Sequence, residues 1–369
     1  MKSCTNTITS KVKAPTTSDG HGHHHNESVG KIARAELINH SVVRQLSKRR
    51  PATLAARLVL DYAIMAAAIV ICELYWHPAL YVLAIMTIGA RQAGIGSVAL
   101  HDGVHRLLAR NKRVNDLMGR ILGLTVGVPI VEDFDGYRIR HFAHHRCTNT
   151  DEDPDAWLHE KFYDVPRWKG ALFLLQALLG MVFVSLFVAF ILRQYKSNKV
   201  VFLGLAGSLI ALTAGVALQF YPAVLIVLYV VIPLATWGLF VNLIRGLAEH
   251  YPENEFQRGD DFPEVFRSRD ILNTWFDQFF VATRGVNFHL SHHLIPNVPF
   301  YRLPALQREL AKSEPYRKYA HVTRGYHRFL LEYFFQRSEP AGLEATTGLQ
   351  QNDHEALSVD PASTVSPAA

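Results

Sequence analysis

Long apolar segments, separated by polar segments of varied length, lie between residues 57 and 243 of this chain of 369 residues. A transmembrane helix needs roughly 20 predominantly apolar residues in succession. Segments of that length and character lie at residues 57–76, 78–100, 200–219 and 222–243. The pattern therefore predicts an all-α integral membrane protein with four transmembrane helices.

A fifth apolar segment, residues 170–192, is predicted not to cross the membrane. Cytoplasmic loops carry an excess of Lys and Arg, and the sequences SKRR before the first span and HRLLARNKR after the second are basic. The linker RQYKSNK at 193–199 is also basic. It lies on the same side only if residues 170–192 enter the bilayer and return, or lie in the interface. We therefore expect the N-terminus and the C-terminus on the cytoplasmic side.

The two ends of the chain are polar. Residues 1–30 are rich in Ser, Thr, Asn and His, and residues 338–369 in Glu, Pro, Ala, Ser and Thr; these compositions predict disordered tails. Residues 31–337 then form the membrane domain, which begins with a basic amphipathic helix at 31–50 on the membrane surface. The net charge of +6 comes from Lys and Arg beside the apolar segments, so it indicates topology, and no nucleic-acid partner is expected.

Three clusters of histidines lie outside the apolar segments: HDGVH (101–105), HFAHH (141–145) and HLSHH (289–293). Because residues i, i+3 and i+4 share one face of a helix, each cluster directs two or three imidazoles the same way. Neutral imidazole binds Zn, Cu, Fe and Ni, and so many imidazoles are too many for one tetrahedral site. The pattern predicts a dinuclear metal site in a cytoplasmic helical cap. The candidate ligands are His101, His105, His141, His144, His145, His289, His292 and His293, together with His250 after the fourth apolar segment.

Carboxylates accompany these histidines. A metal-bound histidine usually donates its second N–H to a carboxylate or carbonyl group, which fixes the orientation of the ring. The candidates for this role are Asp102, Asp153, Asp155 and Glu249. Part of the acidic run after the second cluster could instead cap the next helix.

Two polar residues precede the first cluster within the second apolar segment. Arg91 and Gln92 lie about 15 Å of helix before His101, and so deep in the bilayer. Polar groups at that depth are usually functional, and these two are candidates to contact the polar part of a substrate. Pairing of Arg91 with an acid or a carbonyl on a neighbouring helix remains an equal alternative.

The order of HDGVH, HFAHH and HLSHH, with apolar hairpins between them, resembles the three histidine boxes of membrane-bound fatty acid desaturases and related hydroxylases. The sequences HHRCTNTDEDPD and HHLIPNVPFYRLPAL are similar to the stretches that follow the second and third boxes, and the resemblance covers about residues 50–335. It implies a non-haem diiron centre held by the eight box histidines and by His250, with O2 as co-substrate. One departure is Gly246, at a position where acyl-CoA desaturases have Asn.

The implied function is that of an O2-dependent desaturase that introduces a double bond into a fatty acyl chain or a similar lipid. A diiron hydroxylase or ketolase acting on a carotenoid, an alkane or a specialised lipid is the alternative. A metal-ion transporter is a remote one, because transporters place their ligands near the middle of the membrane. The sequence shows neither a haem-binding HPGG motif nor CxxC pairs. We therefore expect an external electron donor such as ferredoxin or cytochrome b5.

Overall fold

The computed structural model describes residues 34–127, 133–150, 152–157, 161–162, 165–250 and 264–335. The predicted tails, 1–30 and 338–369, lie outside these residues. In chain order, the helices and strands are α1 (Arg34–Leu37), α2 (His40–Leu46), α3 (Pro51–Leu74), α4 (Pro78–Asp102), α5 (Lys112–Thr125), α6 (Phe134–Cys147), α7 (Arg167–Leu178), α8 (Met181–Ser197), α9 (Lys199–Ala217), α10 (Tyr221–His250), β1 (Arg269–Leu272), α11 (Trp275–Phe280), α12 (His289–Leu294), α13 (Leu303–Leu310), α14 (Glu314–Tyr319), β2 (His321–Arg324) and α15 (Tyr326–Phe335).

Four helices, α3, α4, α9 and α10, are long and apolar enough to cross a membrane, as predicted. Proline occupies the first turn of α3, α4 and α10. A backbone N–H in the first turn has no hydrogen-bond acceptor within the helix, so proline, which lacks this N–H, is well tolerated there. The predicted segment 222–243 was too short at one end, since α10 extends to His250. Glu249 and His250 therefore belong to the last turn of a spanning helix, whose axis fixes their direction.

The fifth apolar segment forms two helices, α7 and α8, that meet at an angle of 73°. Gly180 joins them with φ +77, in the left-handed region that glycine adopts at no steric cost. Such a bend occurs both in a broken span and in a segment that enters the apolar layer and returns, so the non-crossing course of this segment stays a prediction.

Helix α4 is the centre of the membrane part. In its apolar window 72% of the residues are buried inside the protein, compared with 11% for α3. Gly89 of α4 faces Gly238 of α10 so closely that an added Cβ would lie 2.8 Å from the Gly238 nitrogen. Small residues at such contacts let two helix backbones approach closely.

Three short π-helical segments interrupt the two spans that carry site residues. They are Val98–Asp102 at the end of α4, and Val227–Val231 and Leu234–Gly238 on either side of Pro233 in α10. Such segments free backbone carbonyl groups and occur frequently at functional sites. In α4 the π-helical segment contains His101, so it sets the direction in which this ring leaves the helix.

The polar cap packs around an apolar core built from α12, α13 and α14. Leu290, Leu306 and Tyr316 are fully buried there, and Leu37 and Leu46 from α1 and α2 join them. The single amphipathic helix predicted at 31–50 is therefore two short helices packed on protein. They are separate because the Asn39 side chain accepts a hydrogen bond from the backbone N–H of Ser41 and starts α2 anew.

Among the described residues, the fold is all-α apart from one small parallel sheet. Strands β1 and β2 pair in register, with Arg269 opposite His321 and Leu272 opposite Arg324. Ile271 in β1 is fully buried, and Asp270 also forms a bridge with Phe288, the residue before α12. The sheet thereby ties the third histidine cluster to the C-terminal part of the cap.

Candidate metal centre

The histidine clusters lie at the ends of four helices that converge. His101 is in the last turn of α4, His105 follows it, and His250 ends α10. Helix α6 carries the second cluster and α12 carries the third. Segments up to about 190 residues apart in sequence thus supply side chains to one place.

Five of the nine histidines form one group, in which one ring nitrogen from each residue lies within 4.8 Å of all the others: His101, His105, His141, His145 and His292. The Nε2 atoms of His105, His141 and His145 form a triangle with sides of 2.9, 3.1 and 3.2 Å. A neutral ring nitrogen is either a donor or an acceptor, so at most two of these three contacts can be hydrogen bonds. A cation among the nitrogens would satisfy all three lone pairs.

The remaining four histidines form a second group with the same convergence: His144, His250, His289 and His293. The Nε2 atom of His289 lies 2.7 Å from that of His250 and 3.0 Å from that of His293. The rings of His144 and His145, which belong to different groups, have centroids 6.0 Å apart. The two groups are therefore adjacent, as in a dinuclear site.

The protein environment favours the uncharged form of six of these rings. Burial, followed by repulsion from neighbouring imidazoles, lowers the pKa of His105 to about 2 and that of His145 to about 3. The same two causes hold the pKa values of His141, His289, His292 and His293 well below the usual value. A metal ligand must be the neutral imidazole, so these histidines are in the state that binds a cation.

One carboxylate fixes the orientation of His144. The two Asp153 oxygens lie 2.9 and 3.0 Å from His144 Nδ1, which leaves Nε2 for the cluster. Asp153 also accepts hydrogen bonds from the backbone N–H groups of Asn149 and Asp155. Burial acts to raise the pKa of Asp153, but these hydrogen bonds outweigh it and lower the pKa.

Two further acids lie behind histidines in the same way. Asp102 Oδ1 is 3.2 Å from His101 Nδ1, and its other oxygen accepts the backbone N–H of Phe300. Glu249 Oε2 is 3.5 Å from His289 Nδ1. Asp155, the fourth acid considered, is more distant, at 3.9 Å from His144 Nδ1, and pairs with Arg140 at 3.1 Å. It supports the site through Arg140 more than through the histidine.

Other supports of the site carry little or no signal in the sequence. Thr148 Oγ1 lies 3.3 Å from His293 Nδ1, across 145 residues of sequence. Asp270 accepts hydrogen bonds from the backbone N–H of Ser291 at 3.0 Å and from the Tyr316 hydroxyl at 2.6 Å. These bonds fix the position of α12. Burial raises the pKa of Asp270 to about 6. These contacts are between segments distant in sequence, which no local spacing reveals.

A cavity of about 360 Å³ adjoins both histidine groups. His101, His141, His144, His250, His289 and His292 form part of its wall. The cavity continues along α4, α8 and α10, where Ala93, Leu100, Phe183, Leu234 and Leu239 line it. Its size is in the range of small-molecule binding sites, which span roughly 300–1,000 Å³.

The two polar residues predicted deep in α4 have different surroundings. Gln92 lines the cavity, whereas Arg91 is not among the described residues that do. Arg91 lies 3.4 Å from Asp61 of α3 and donates to the Phe279 carbonyl oxygen at 2.6 Å. Arg284 binds the same carboxylate from the other side. Of the two alternatives for Arg91, the structure thus shows pairing with an acid on a neighbouring helix. The acidic residue Asp61 within the first apolar segment was the signal for it.

A helical membrane protein with two adjacent histidine groups beside a cavity has the organisation of a membrane-bound metalloenzyme. The family model for fatty acid desaturases matches residues 74–326, and the chain belongs to this family. It is 26% identical over 311 residues to a dihydrorhizobitoxine desaturase of Bradyrhizobium elkanii, which covers 78% of this chain and 85% of that protein.

Two further relatives are cyanobacterial. An sn-1 oleoyl-lipid 12-desaturase of Anabaena variabilis is 25% identical over 55% of this chain and 61% of that protein. An sn-1 acyl-lipid omega-3 desaturase (ferredoxin) of Nostoc sp. (strain 36) is 22% identical over 55% of this chain and 60% of that protein. The chain thus aligns with about three-fifths of the length of these two relatives.

Proposed function

We propose that this protein is an O2-dependent diiron desaturase that introduces a double bond into a fatty acyl chain or a similar lipid. The observation that carries the proposal is the convergence of nine imidazoles into two adjacent groups beside a cavity that both groups line. Membership of the fatty acid desaturase family supports the reaction. The names of the relatives include acyl-lipid desaturases.

Each histidine group would hold one iron ion. The first ion would take ligands from His101, His105, His141, His145 and His292, and the second from His144, His250, His289 and His293. Imidazole nitrogen suits iron as well as zinc and copper, so metal analysis is part of the test. When bound, the two irons supply, with O2 and external electrons, the oxidising power to remove hydrogen from an unactivated CH2 group.

The chain's own residues would prepare the site for that chemistry. Asp153, Asp102 and Glu249 would orient the rings of His144, His101 and His289 and increase their basicity as ligands. Apolar side chains such as Leu234 and Phe183 line the cavity and would keep water away from the reacting carbons. The position of the substrate against the two ions would then decide which CH2 groups react.

The electrons would come from a separate donor protein. One relative carries ferredoxin in its name, and a ferredoxin or a cytochrome b5 would suit the proposed reaction equally. We place the histidine clusters, both termini and the donor site on the cytoplasmic side, because the basic loops flank the spans there.

The test is to express the chain in a host with a simple lipid profile and to analyse total fatty acids by mass spectrometry. A new double bond is expected with the native chain, and its loss with His144→Ala. The matched control is His40→Ala, an exposed histidine on α2, which should leave the product unchanged. Metal analysis of the purified protein should give iron rather than zinc.

The same experiment separates the alternatives. Hydroxylated or keto products that also depend on His144 would assign the chain to the hydroxylase and ketolase branch. An unchanged lipid profile, with iron bound and a competent donor supplied, would contradict the assignment of acyl lipids as substrates.

A further inference from the structure

Helix α6 ends in a sharp turn that is built around Asn149. The helix reaches Cys147, Thr148 follows as its cap, and Asn149 comes next with φ +55, in the left-handed region. Asparagine adopts this region more readily than most residues and is used, after glycine, at this position beyond a helix. In this turn the Asn149 backbone N–H donates to Asp153 Oδ2 at 2.8 Å. The other oxygen of that carboxylate lies 2.9 Å from His144 Nδ1, so the turn supports His144.

The side chain of Asn149 reaches the end of a different helix. Its Nδ2 donates at 2.9 Å to the backbone carbonyl oxygen of His250, across 101 residues of sequence. The same nitrogen donates to the carbonyl oxygen of Arg267, in the segment before β1. His250 is the last residue of α10, so its carbonyl group has no N–H partner within the helix. Asn149 supplies that donor from outside the helix.

The two contacts of the Asn149 side chain require a donor at this position. Carbonyl oxygens can only accept, so the atom that faces both of them must be the amide nitrogen, which carries two hydrogens. An aspartate of the same size would place a carboxylate oxygen against the carbonyl oxygens of His250 and Arg267. The position therefore needs an amide donor as well as a residue that tolerates the left-handed turn.

Asn149 thus connects two members of the second histidine group. Its backbone supports His144 through Asp153, and its side chain holds the carbonyl group of His250 itself. The rings of these two histidines lie edge to face, with centroids 4.7 Å apart. None of the hydrogen bonds described for Asn149 is to a histidine of the first group. Its support is therefore directed to one of the two groups.

We propose that Asn149 is a positioning residue for the second metal ion, because it holds the end of α6 against the end of α10 and so fixes His144 relative to His250. The inference rests on the proposed function for the presence of the metal, and it adds a residue that acts only through other residues. Metal–ligand distances are satisfied only within about 0.2 Å, so a small shift between the two helix ends would weaken the site. Losing a support behind a ligand typically costs about 10–100-fold in metal affinity or activity.

The test compares three variants of the purified full-length protein loaded with iron. Asn149→Gly keeps the left-handed turn and the backbone N–H but removes the side-chain donor. Asn149→Asp keeps the size of the side chain and also tolerates the turn, but it replaces the donor by an acceptor. The matched control is Asn273→Gly, which removes an amide donor to the Ala282 carbonyl oxygen. The hydrogen bonds described for Asn273 include none to a histidine.

The two measurements are the release of iron to a chelator and the Mössbauer spectrum of the bound iron. In Asn149→Gly we expect one iron ion per chain to leave about tenfold faster than in the native protein, with the other unchanged. Asn149→Asp should lose that ion at least as fast, since it adds repulsion to the lost hydrogen bonds. The spectrum should change for one of the two iron environments only. Asn273→Gly should match the native protein in both measurements.

Two results would overturn the inference. Native-like iron release from Asn149→Asp would mean that the site needs the turn and not the amide donor. Equally faster release of both iron ions would indicate a general loosening of the fold instead of a role at one group.

Failure of the proposed function would look different. Selective loss of one iron ion in the variants of a protein that forms no lipid double bond would keep the positioning role and refute the desaturase. A double bond formed by the native protein, together with native-like iron release from both Asn149 variants, would do the reverse.

Discussion

His144 Nδ1 and Asp153 Oδ1 lie 2.9 Å apart, and both side chains are almost completely buried. The carboxylate holds the ring so that its other nitrogen faces the second histidine group. Because Asp153 is itself held by two backbone N–H groups, its position is fixed before any metal binds.

Replacing Asp153 with Asn should weaken metal binding without removing a ligand. The amide keeps the size of the side chain but lacks the charge that strengthens His144 as a ligand, and the loss of such a partner typically costs about 10–100-fold in metal affinity or activity. The measurement is the rate and extent of iron removal by a chelator. Asp155→Asn is the control, since that carboxylate lies 3.9 Å from the ring and should have a clearly smaller effect. Equal effects of both changes would contradict the role given to Asp153.

Replacing His250 with Ala should affect one histidine group only. The second group would keep His144, His289 and His293, while the five histidines of the first group remain complete. We expect the iron content per chain to fall towards half, because the second group loses one of its four imidazoles while the first keeps all five. Elemental analysis of the purified protein measures this, with the exposed His327→Ala as control. An unchanged iron content would exclude His250 from the ligands.

Replacing Asp61 with Asn should destabilise the fold. Asp61 is fully buried and is the shared acceptor of Arg91 and Arg284. Removing one member of a buried charged network leaves uncompensated charge and costs about 3–5 kcal/mol of the free energy of unfolding. Unfolding by denaturant in detergent would show it. The control, Asp135→Asn, breaks an exposed ion pair with Arg120 and should cost at most about 1 kcal/mol.

Replacing Gly89 with Ala should disturb the contact between α4 and α10. The new Cβ would lie 2.8 Å from the Gly238 nitrogen and 2.8 Å from the Pro233 carbonyl oxygen, and backbone atoms cannot rotate away. Overpacking of this kind typically costs about 1–3 kcal/mol. Gly204→Ala on α9 has no atom within 4 Å of the added group and should be neutral or slightly stabilising, as alanine favours helices. Thermal unfolding of the two variants side by side gives the comparison.

The sequence predicted the spans because a membrane demands a long apolar run for each crossing, and such runs are visible without any tertiary information. It also indicated the histidine groups, because three clusters at helical spacing repeat a rare pattern. That the metal ligands are these nine residues stays a prediction until metal analysis is done. The predicted surface helix at 31–50 differed from the structure, since a local amphipathic pattern does not reveal which apolar surface covers it.

The sequence by itself determined that the chain is a helical membrane protein and which histidines are candidates to share a site. Only the tertiary structure decided how these histidines divide into groups of five and four, because helices distant in sequence supply members of both groups. It also decided that Arg91 pairs with Asp61 while its neighbour Gln92 lines the cavity. The physical reason is that adjacent residues on a helix point about 100° apart, so only the packing of neighbouring helices determines which of them lines the cavity.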